Sequence, residues 1–304
     1  MEIKSHIADV KSFNGLTPKE WALLSRSVWR DIKTPPRSKH RIEHGATFPL
    51  DLAERVIKIY SNVGHNVLDP FLGTGTTLVA AKKLGRNGYG FELYKKFYKI
   101  AVEQLQQEII PITEQVSEIK VFNDDCRNLC EYIKPETIHL TLTSPPYANF
   151  IYRSVENRNK RHKNSILIKA NRSKVKPYGD DTRDFGNLEY NEYINEVKQL
   201  MKQIFKVTVD GGYNIWVIRD YRLPENGKPY LPVHIDIAKA GEEAGFVWLD
   251  LIVWDQNENR KLLVLGYPSV FYTNINHSFL IVLRKPMGNK NKIDNEKNTE
   301  NSNK

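Results

Sequence analysis

The chain has 304 residues, enough for one large domain with a full core or for two small ones. It is 40% hydrophobic and 27% charged, an ordinary globular balance, and no apolar run approaches the roughly 18 residues that a membrane span needs. The formal net charge of +9 and a pI of about 9.3 point toward a polyanionic partner without identifying one.

Residues 1–45 are mixed in character, and the first fifteen lack the apolar stretch of a secretory leader. Thr17-Pro18-Lys19-Glu20 reads as a helix start: an N-cap threonine, a proline at the first helical position and a glutamate at the capping-box position. The expected helix carries Trp21, Leu24 and Val28 on one face and is broken by Thr34-Pro35-Pro36-Arg37. Residues 51–60 place Leu52, Val56, Ile59 and Tyr60 at helical spacing. From there strands and helices alternate: strand 66–68, helix 76–84 stopped by Gly85, strand 87–91, helix 94–108, strands 119–122 and 138–143, helix 191–207, strand 213–218, helix 233–244, and strands 246–254 and 277–283.

Seven strands with interleaved helices predict an α/β fold with a Rossmann-like, doubly wound, mostly parallel sheet. No helical pattern separates the last two strands, so one of them should be antiparallel. The expected organisation is an N-terminal helical segment over 1–45, a catalytic domain over 46–286 with a basic insertion at 151–187, and a disordered polar tail over 287–304, where Asn, Lys and Glu dominate. Cys126 and Cys130 are the only cysteines, which fits a reducing cytoplasm, and without further clustered ligands they make a poor metal site.

Two segments carry chemistry. The first is Asp69-Pro70-Phe71-Leu72-Gly73-Thr74-Gly75-Thr76-Thr77, which lies between a strand and a helix. Gly73 and Gly75 let the backbone approach a ligand closely, and the helix start after them favours a carboxylate or phosphate. A dinucleotide fingerprint would need a third glycine where Leu78 stands, and the Gly-Lys-Ser/Thr of a phosphate loop is absent. Glu92 ends the next strand near the spacing at which an acid holds ribose hydroxyls. Asp69 at the first strand's tip can hold an ammonium or an ordered water, and Asp125 can accept from an adenine amino group. Three strand-end carboxylates and a glycine turn suit S-adenosylmethionine better than a phosphate-rich nucleotide.

The second segment is Ser144-Pro145-Pro146-Tyr147, at the end of an apolar run. An exocyclic amine on a nucleobase is a poor nucleophile because its lone pair is delocalised into the ring. Two hydrogen-bond acceptors on its N–H groups aim that lone pair at a methyl donor, and the Ser144 hydroxyl and the Pro145 carbonyl can supply them. The prolines hold the carbonyl still by fixing φ at about −65°. Stacking on Tyr147 is worth about 1–3 kcal/mol. Close behind, residues 151–176 hold nine basic residues against one acid, Glu156: Arg153, Arg158, Lys160, Arg161, Lys163, Lys169, Arg172, Lys174 and Lys176. Placed beside the tetrad, this run is expected to contact DNA phosphates.

Together these residues resemble the amino-directed DNA methyltransferases. DPFLGTGTT looks like the family's cofactor loop, Phe91-Glu92-Leu93 like its ribose-binding acid, and SPPY like its catalytic tetrad. The stretch from Phe48 and Pro49 through Tyr60-Ser61 is similar to the helix that packs over the methionine end of the cofactor. The resemblance covers about residues 44–285. It implies a class I methyltransferase fold, S-adenosylmethionine as cofactor and double-stranded DNA as partner. It also implies base flipping and a restriction–modification or defence setting, with a cognate endonuclease as a candidate partner. A serine-headed tetrad is typical of cytosine-N4 enzymes, whereas adenine-N6 enzymes more often carry Asp or Asn there. Neither cysteine follows a proline, as the nucleophile of cytosine-C5 enzymes does. The target-recognition region is open between 151–187, the N-terminal 45 residues and the loop 255–276. The rival readings are an adenine-N6 methyltransferase on DNA or RNA, a catalytically idle DNA-binding regulator of the same fold and a nicotinamide dehydrogenase, the last disfavoured by Leu78 and by the tetrad it leaves unexplained.

Overall fold

Alternating apolar residues in the central strands send side chains to both faces of one sheet. The computed structural model describes residues 12–32, 48–107, 115–148, 178–223, 228–259, 262 and 269–288. Its main sheet contains β1 (Val28–Trp29), β2 (Asn66–Asp69), β3 (Asn87–Phe91), β4 (Ile119–Phe122), β5 (Ile138–Thr143), β6 (Thr208–Ile218), β9 (Val247–Asp255) and β10 (His277–Arg284). The short strands β7 (Tyr221–Leu223) and β8 (Lys228–Leu231) pair with each other as an antiparallel hairpin.

The main sheet runs β1-β9-β10-β6-β5-β2-β3-β4. β10 is antiparallel to both its neighbours, and the other pairings are parallel. Counting only the seven expected strands in chain order, the sheet reads 6-7-5-4-1-2-3, which is the doubly wound class I methyltransferase arrangement. The order reverses between β5 and β2, the position at which doubly wound sheets bind ligands at the carboxyl edge.

On one face α2 (Leu50–Tyr60) and α3 (Thr76–Lys83) set Leu52, Val56, Ala80 and Ala81 against Leu140 and Leu142 of β5 and Leu280 and Val282 of β10. On the other, α6 (Tyr190–Val207) and α7 (Val233–Glu243) set Val197, Leu200, Ile204 and Ile237 against Trp216, Ile218, Ile281 and Leu283. Strand neighbours thus alternate between two cores, and each buried aliphatic side chain contributes about 1.5–3 kcal/mol. α4 (Lys95–Gln106) packs through Ala101 and Leu105 on Leu72 and Leu78. The short α5 (Leu129–Tyr132) buries Leu129. Among the described residues, no helix is long and apolar enough to cross a membrane.

The expected start of the first helix, α1 (Pro18–Leu24), is present with its capping box: the Glu20 amide donates to the Thr17 hydroxyl at 3.3 Å, and the Thr17 amide donates to Glu20 Oε2 at 2.9 Å. Its expected end is corrected. The helix stops at Leu24, and Val28 opens β1, which lies parallel to β9. Pairing with the open edge of β9 satisfies backbone groups and buries Trp29 to 1% exposure, which a continued surface helix would not do. β6 also begins five residues earlier than expected, at Thr208, because a register shift opposite Ile138–Leu140 lets the Gly211-Gly212 turn join the strand. The expected tail lies outside the described residues from 289 onward, as does the whole basic run 151–176.

At the opposite, amino edge His65 and His139 stack with ring centroids 4.0 Å apart. His65 Nδ1 accepts the Asn62 amide at 3.1 Å and His139 Nδ1 accepts the Asn66 amide at 3.2 Å, so each neutral ring carries its proton on Nε2. Burial, then the neighbouring His139, holds His65 down to about 4. Between the ordinary value of 6.5 and about 4 the unfolded chain therefore binds more protons than the fold, and stability falls as pH falls through that window. His65→Asn keeps an acceptor for the Asn62 amide and should flatten the dependence of Tm on pH there. An equally acid-sensitive variant would assign the effect to other groups.

Candidate active site

The two motifs meet at one buried carboxylate. Asp69, the last residue of β2, accepts the Thr143 hydroxyl at 2.7 Å and the Phe71 amide at 3.1 Å on Oδ1, and the Thr77 hydroxyl at 2.6 Å on Oδ2. Thr143 ends β5 immediately before Ser144, and Thr77 lies in the first turn of α3. One side chain thus ties the glycine loop, the helix start and the tetrad strand together. Burial pushes the Asp69 carboxyl up to about 6 against the three donors that favour its charged form. Both Asp69 oxygens are engaged within the protein, so an external ammonium would have to share them.

Gly73 and Gly75 both have positive φ, 56° and 95°, where a side chain would be strained. A Cβ on Gly75 would also come within 3.2 Å of Ala101. Gly75 is the N-cap of α3 and supplies no side-chain acceptor, and the first turn carries no acid, so the helix start is open to an anionic group. Glu92 follows β3 and is buried. Its Oε2 accepts the Gly73 amide at 2.9 Å and its Oε1 accepts the Tyr94 amide at 2.8 Å. Burial nevertheless pushes its carboxyl up to about 8, helped by the nearby Asp184 and Asp69 charges. Each Glu92 oxygen keeps a lone pair for a further donor.

Asp125 lies at the same edge but is committed elsewhere. It caps a 3-10 turn through the Arg127 amide at 3.0 Å, and its Oδ2 accepts Arg127 Nη2 at 2.7 Å. Arg127 also reaches Glu196 at 2.8 Å. An adenine amino group would compete with this pair. Phe71 meets Phe185 and Trp216 edge-on at 5.1 and 6.1 Å. Phe48 packs on the core beneath α2, and Pro49 is that helix's buried N-cap. Pro70 and Thr76 complete the loop between Asp69 and α3.

In the tetrad Pro145 is buried, while Ser144, Pro146 and Tyr147 are half-buried. The Tyr147 hydroxyl accepts the Arg219 amide at 3.0 Å, and its ring meets Tyr221 edge-on at 6.1 Å. The base-stacking candidate is therefore anchored to the turn after β6. Arg153, Arg158, Lys160, Arg161, Lys163, Arg172 and Lys174 fall outside the described residues.

Sequence reasoning missed a strap beside the Glu92 turn. Asp184 accepts the Tyr94 hydroxyl at 2.8 Å and the Gly186 amide at 2.8 Å, and burial raises its carboxyl. Lys96 donates to the Tyr178 carbonyl at 2.7 Å. The local signal was an Asp-x-Gly turn at 184–186, but its contact with Tyr94 spans ninety residues. Also missed was a buried Asp220–His234 pair at 2.7 Å beyond β6.

Comparison with known proteins agrees with the motifs. Residues 4–103 match the family model described as DNA methylase. The Type II methyltransferase M.BglI of Bacillus subtilis is 35% identical over 130 residues, 42% of this chain and 36% of that protein. The Type II methyltransferase M.MthZI of Methanothermobacter thermautotrophicus is 40% identical over 92 residues, 29% of this chain and 26% of that protein. The chain thus spans about a third or less of the length of these relatives. Among solved structures, TrmN from Thermus thermophilus aligns with 81% of this chain and 52% of its own at 15% identity and a TM-score of 0.45, which adds nothing to the sheet order. Over residues 4–103 the chain is thus similar to the amino-directed N6/N4 DNA methylases, and the Type II methyltransferases resemble it over a comparable share of its length.

Proposed function

We propose that this chain is a site-specific methyltransferase that moves the methyl group of S-adenosylmethionine to the N4 amine of cytosine in duplex DNA. The observation that carries the reading is the Asp69 bridge, which puts the glycine loop and the Ser144 tetrad on one carboxylate. The residues present fit the cofactor. The start of α3 has no side-chain cap to displace, and Glu92 is aligned by two amides with lone pairs left for ribose hydroxyls. S-adenosylmethionine, when bound, supplies an electrophilic methyl group.

The remaining work falls to the chain. The Ser144 hydroxyl and Pro145 carbonyl accept from the two amine N–H groups, so the nitrogen pyramidalises and its lone pair becomes available. Tyr147, tethered through Arg219, stacks on the extruded base. No strong base is required, because the amine proton becomes acidic only once the methyl group is on and can leave to water. The basic run 151–176 draws the duplex in by phosphate attraction. The Type II relatives support a restriction–modification setting, in which an endonuclease cutting the same site would be the partner.

Cytosine is favoured over adenine by the neutral, serine-headed tetrad and by the smaller base it must seat. The test is mass spectrometry of nucleosides from duplex DNA incubated with the protein and a deuterated-methyl cofactor. Label on deoxycytidine is expected. Label on deoxyadenosine would select the adenine-N6 reading, and no transfer despite cofactor binding would select the idle regulator.

A further inference from the structure

Two arginines follow β6, and neither has an acid partner among the described residues. The Arg219 guanidinium is held by neutral oxygens. Its Nε donates to the His277 carbonyl at 3.2 Å, and its Nη2 donates to Gln256 Oε1 at 2.5 Å and Ser278 Oγ at 3.2 Å. Gln256 is fixed in turn by donating to the same serine at 3.0 Å. Arg222 lies over two rings, 4.9 Å from Tyr272 and 5.5 Å from Tyr230, and its Nη2 donates to the Thr273 carbonyl and hydroxyl at 3.2 Å. Among the described residues its Nε is buried without an acceptor, as is the side-chain amide nitrogen of Asn276, four residues beyond Tyr272.

The nearby carboxylates are occupied. Asp220 accepts the His234 amide at 3.1 Å, lies 2.7 Å from His234 Nδ1 and accepts the Tyr230 hydroxyl at 2.6 Å. Asp255 pairs with Arg30 at 3.2 Å. Among the described residues donors therefore exceed acceptors, and neither guanidinium pairs directly with a carboxylate, an arrangement that favours an incoming anion.

The place decides which anion. The Arg219 amide holds the Tyr147 hydroxyl, and Tyr221, between the two arginines, meets the Tyr147 ring. The loop that grips Arg222 also projects Phe271 and Val270, 89% and 49% exposed. Fixed cations interleaved with aromatic rings beside a base-stacking tyrosine match a phosphodiester backbone that carries an unstacked base. We propose that Arg219 and Arg222 form a rigid ledge that grips phosphates of the DNA strand bearing the target base. The inference rests on the DNA-methylating function proposed above and adds a fixed contact distinct from the basic run.

The test uses the full chain and a fluorescent mixed-sequence duplex, with affinity read by anisotropy across a salt titration. Arg222→Gln should lower the slope of log affinity against log salt by about 0.9, the value of one phosphate contact. It should stay folded, its Tm lowered only by loss of the Thr273 bonds and ring contacts, with wild-type affinity for S-adenosylmethionine, and Arg222→Lys should recover most of the slope. Lys198→Gln, which removes a cation paired with Glu243 at 2.9 Å on the helical layer, should leave the slope alone. Arg219→Gln is the second variant, since its guanidinium is more deeply built in. A wild-type slope in folded Arg222→Gln overturns the ledge and leaves the DNA reading standing. A wild-type chain that binds no duplex overturns both.

Discussion

Ser144→Ala is expected to lower methyl transfer on the order of 10²-fold, the usual effect of removing one preorganised hydrogen-bond partner from a transition state. Tyr147→Ala should lower kcat/KM by roughly 5- to 150-fold, from the loss of about 1–3 kcal/mol of stacking. In both variants calorimetry should return wild-type cofactor affinity, because neither residue belongs to the glycine loop or to the Glu92 turn. Tyr147→Phe separates two roles. It keeps the ring and removes the oxygen that accepts the Arg219 amide, so it should cost less than the alanine. Wild-type turnover in either alanine variant, measured on a DNA that the protein methylates, would remove that residue from the chemistry.

The second large effect concerns Glu92 and has a definite sign. Burial holds its carboxyl up to about 8, so near neutrality much of the free protein carries it protonated. Ribose hydroxyls donate to the charged form and would lower that value in the complex. Binding then releases a proton between the lowered value of the complex and about 8, so cofactor affinity rises with pH across that window and levels on either side of it. Glu92→Gln should weaken binding by about 1–3 kcal/mol and abolish the slope. Calorimetry in buffers of different ionisation enthalpy reads both the affinity and the proton count. A slope that survives in Glu92→Gln would place the titration on another group, with Asp184 first in line.

Long periodic segments were legible in advance. All seven expected strands exist, because period-two alternation in β5, β6 and β10 is imposed by burial on both faces. The antiparallel strand was legible from the missing helix before β10. β1 was not, since two residues carry no period and pair only because β9 leaves an edge to cover. The β7–β8 hairpin was hidden for the same reason. Within the site, residue types at strand tips were readable, but their partners were not. Asp125 stood at the expected tip, yet its engagement with Arg127, two residues on, depends on a 3-10 turn that propensity does not announce. The Asp184 bond to Tyr94 and the Asp69 bond to Thr143 join residues ninety and seventy-four positions apart, and only the closed sheet brings them together.

The Asp69 bridge constrains how this scaffold can be altered or inherited. A loop exchanged between relatives as residues 69–77 alone would arrive with an acid shaped for a hydroxyl that the host strand has to provide at position 143. A mismatch would leave a buried charge short of a donor, at a cost of about 1–3 kcal/mol. Under the proposed reaction, the glycine loop and the tetrad strand would therefore be one transferable unit. A breakpoint within the span from β2 to the tetrad is expected to cost stability unless the host strand carries a hydroxyl at position 143, which thermal melting of such a chimera would read.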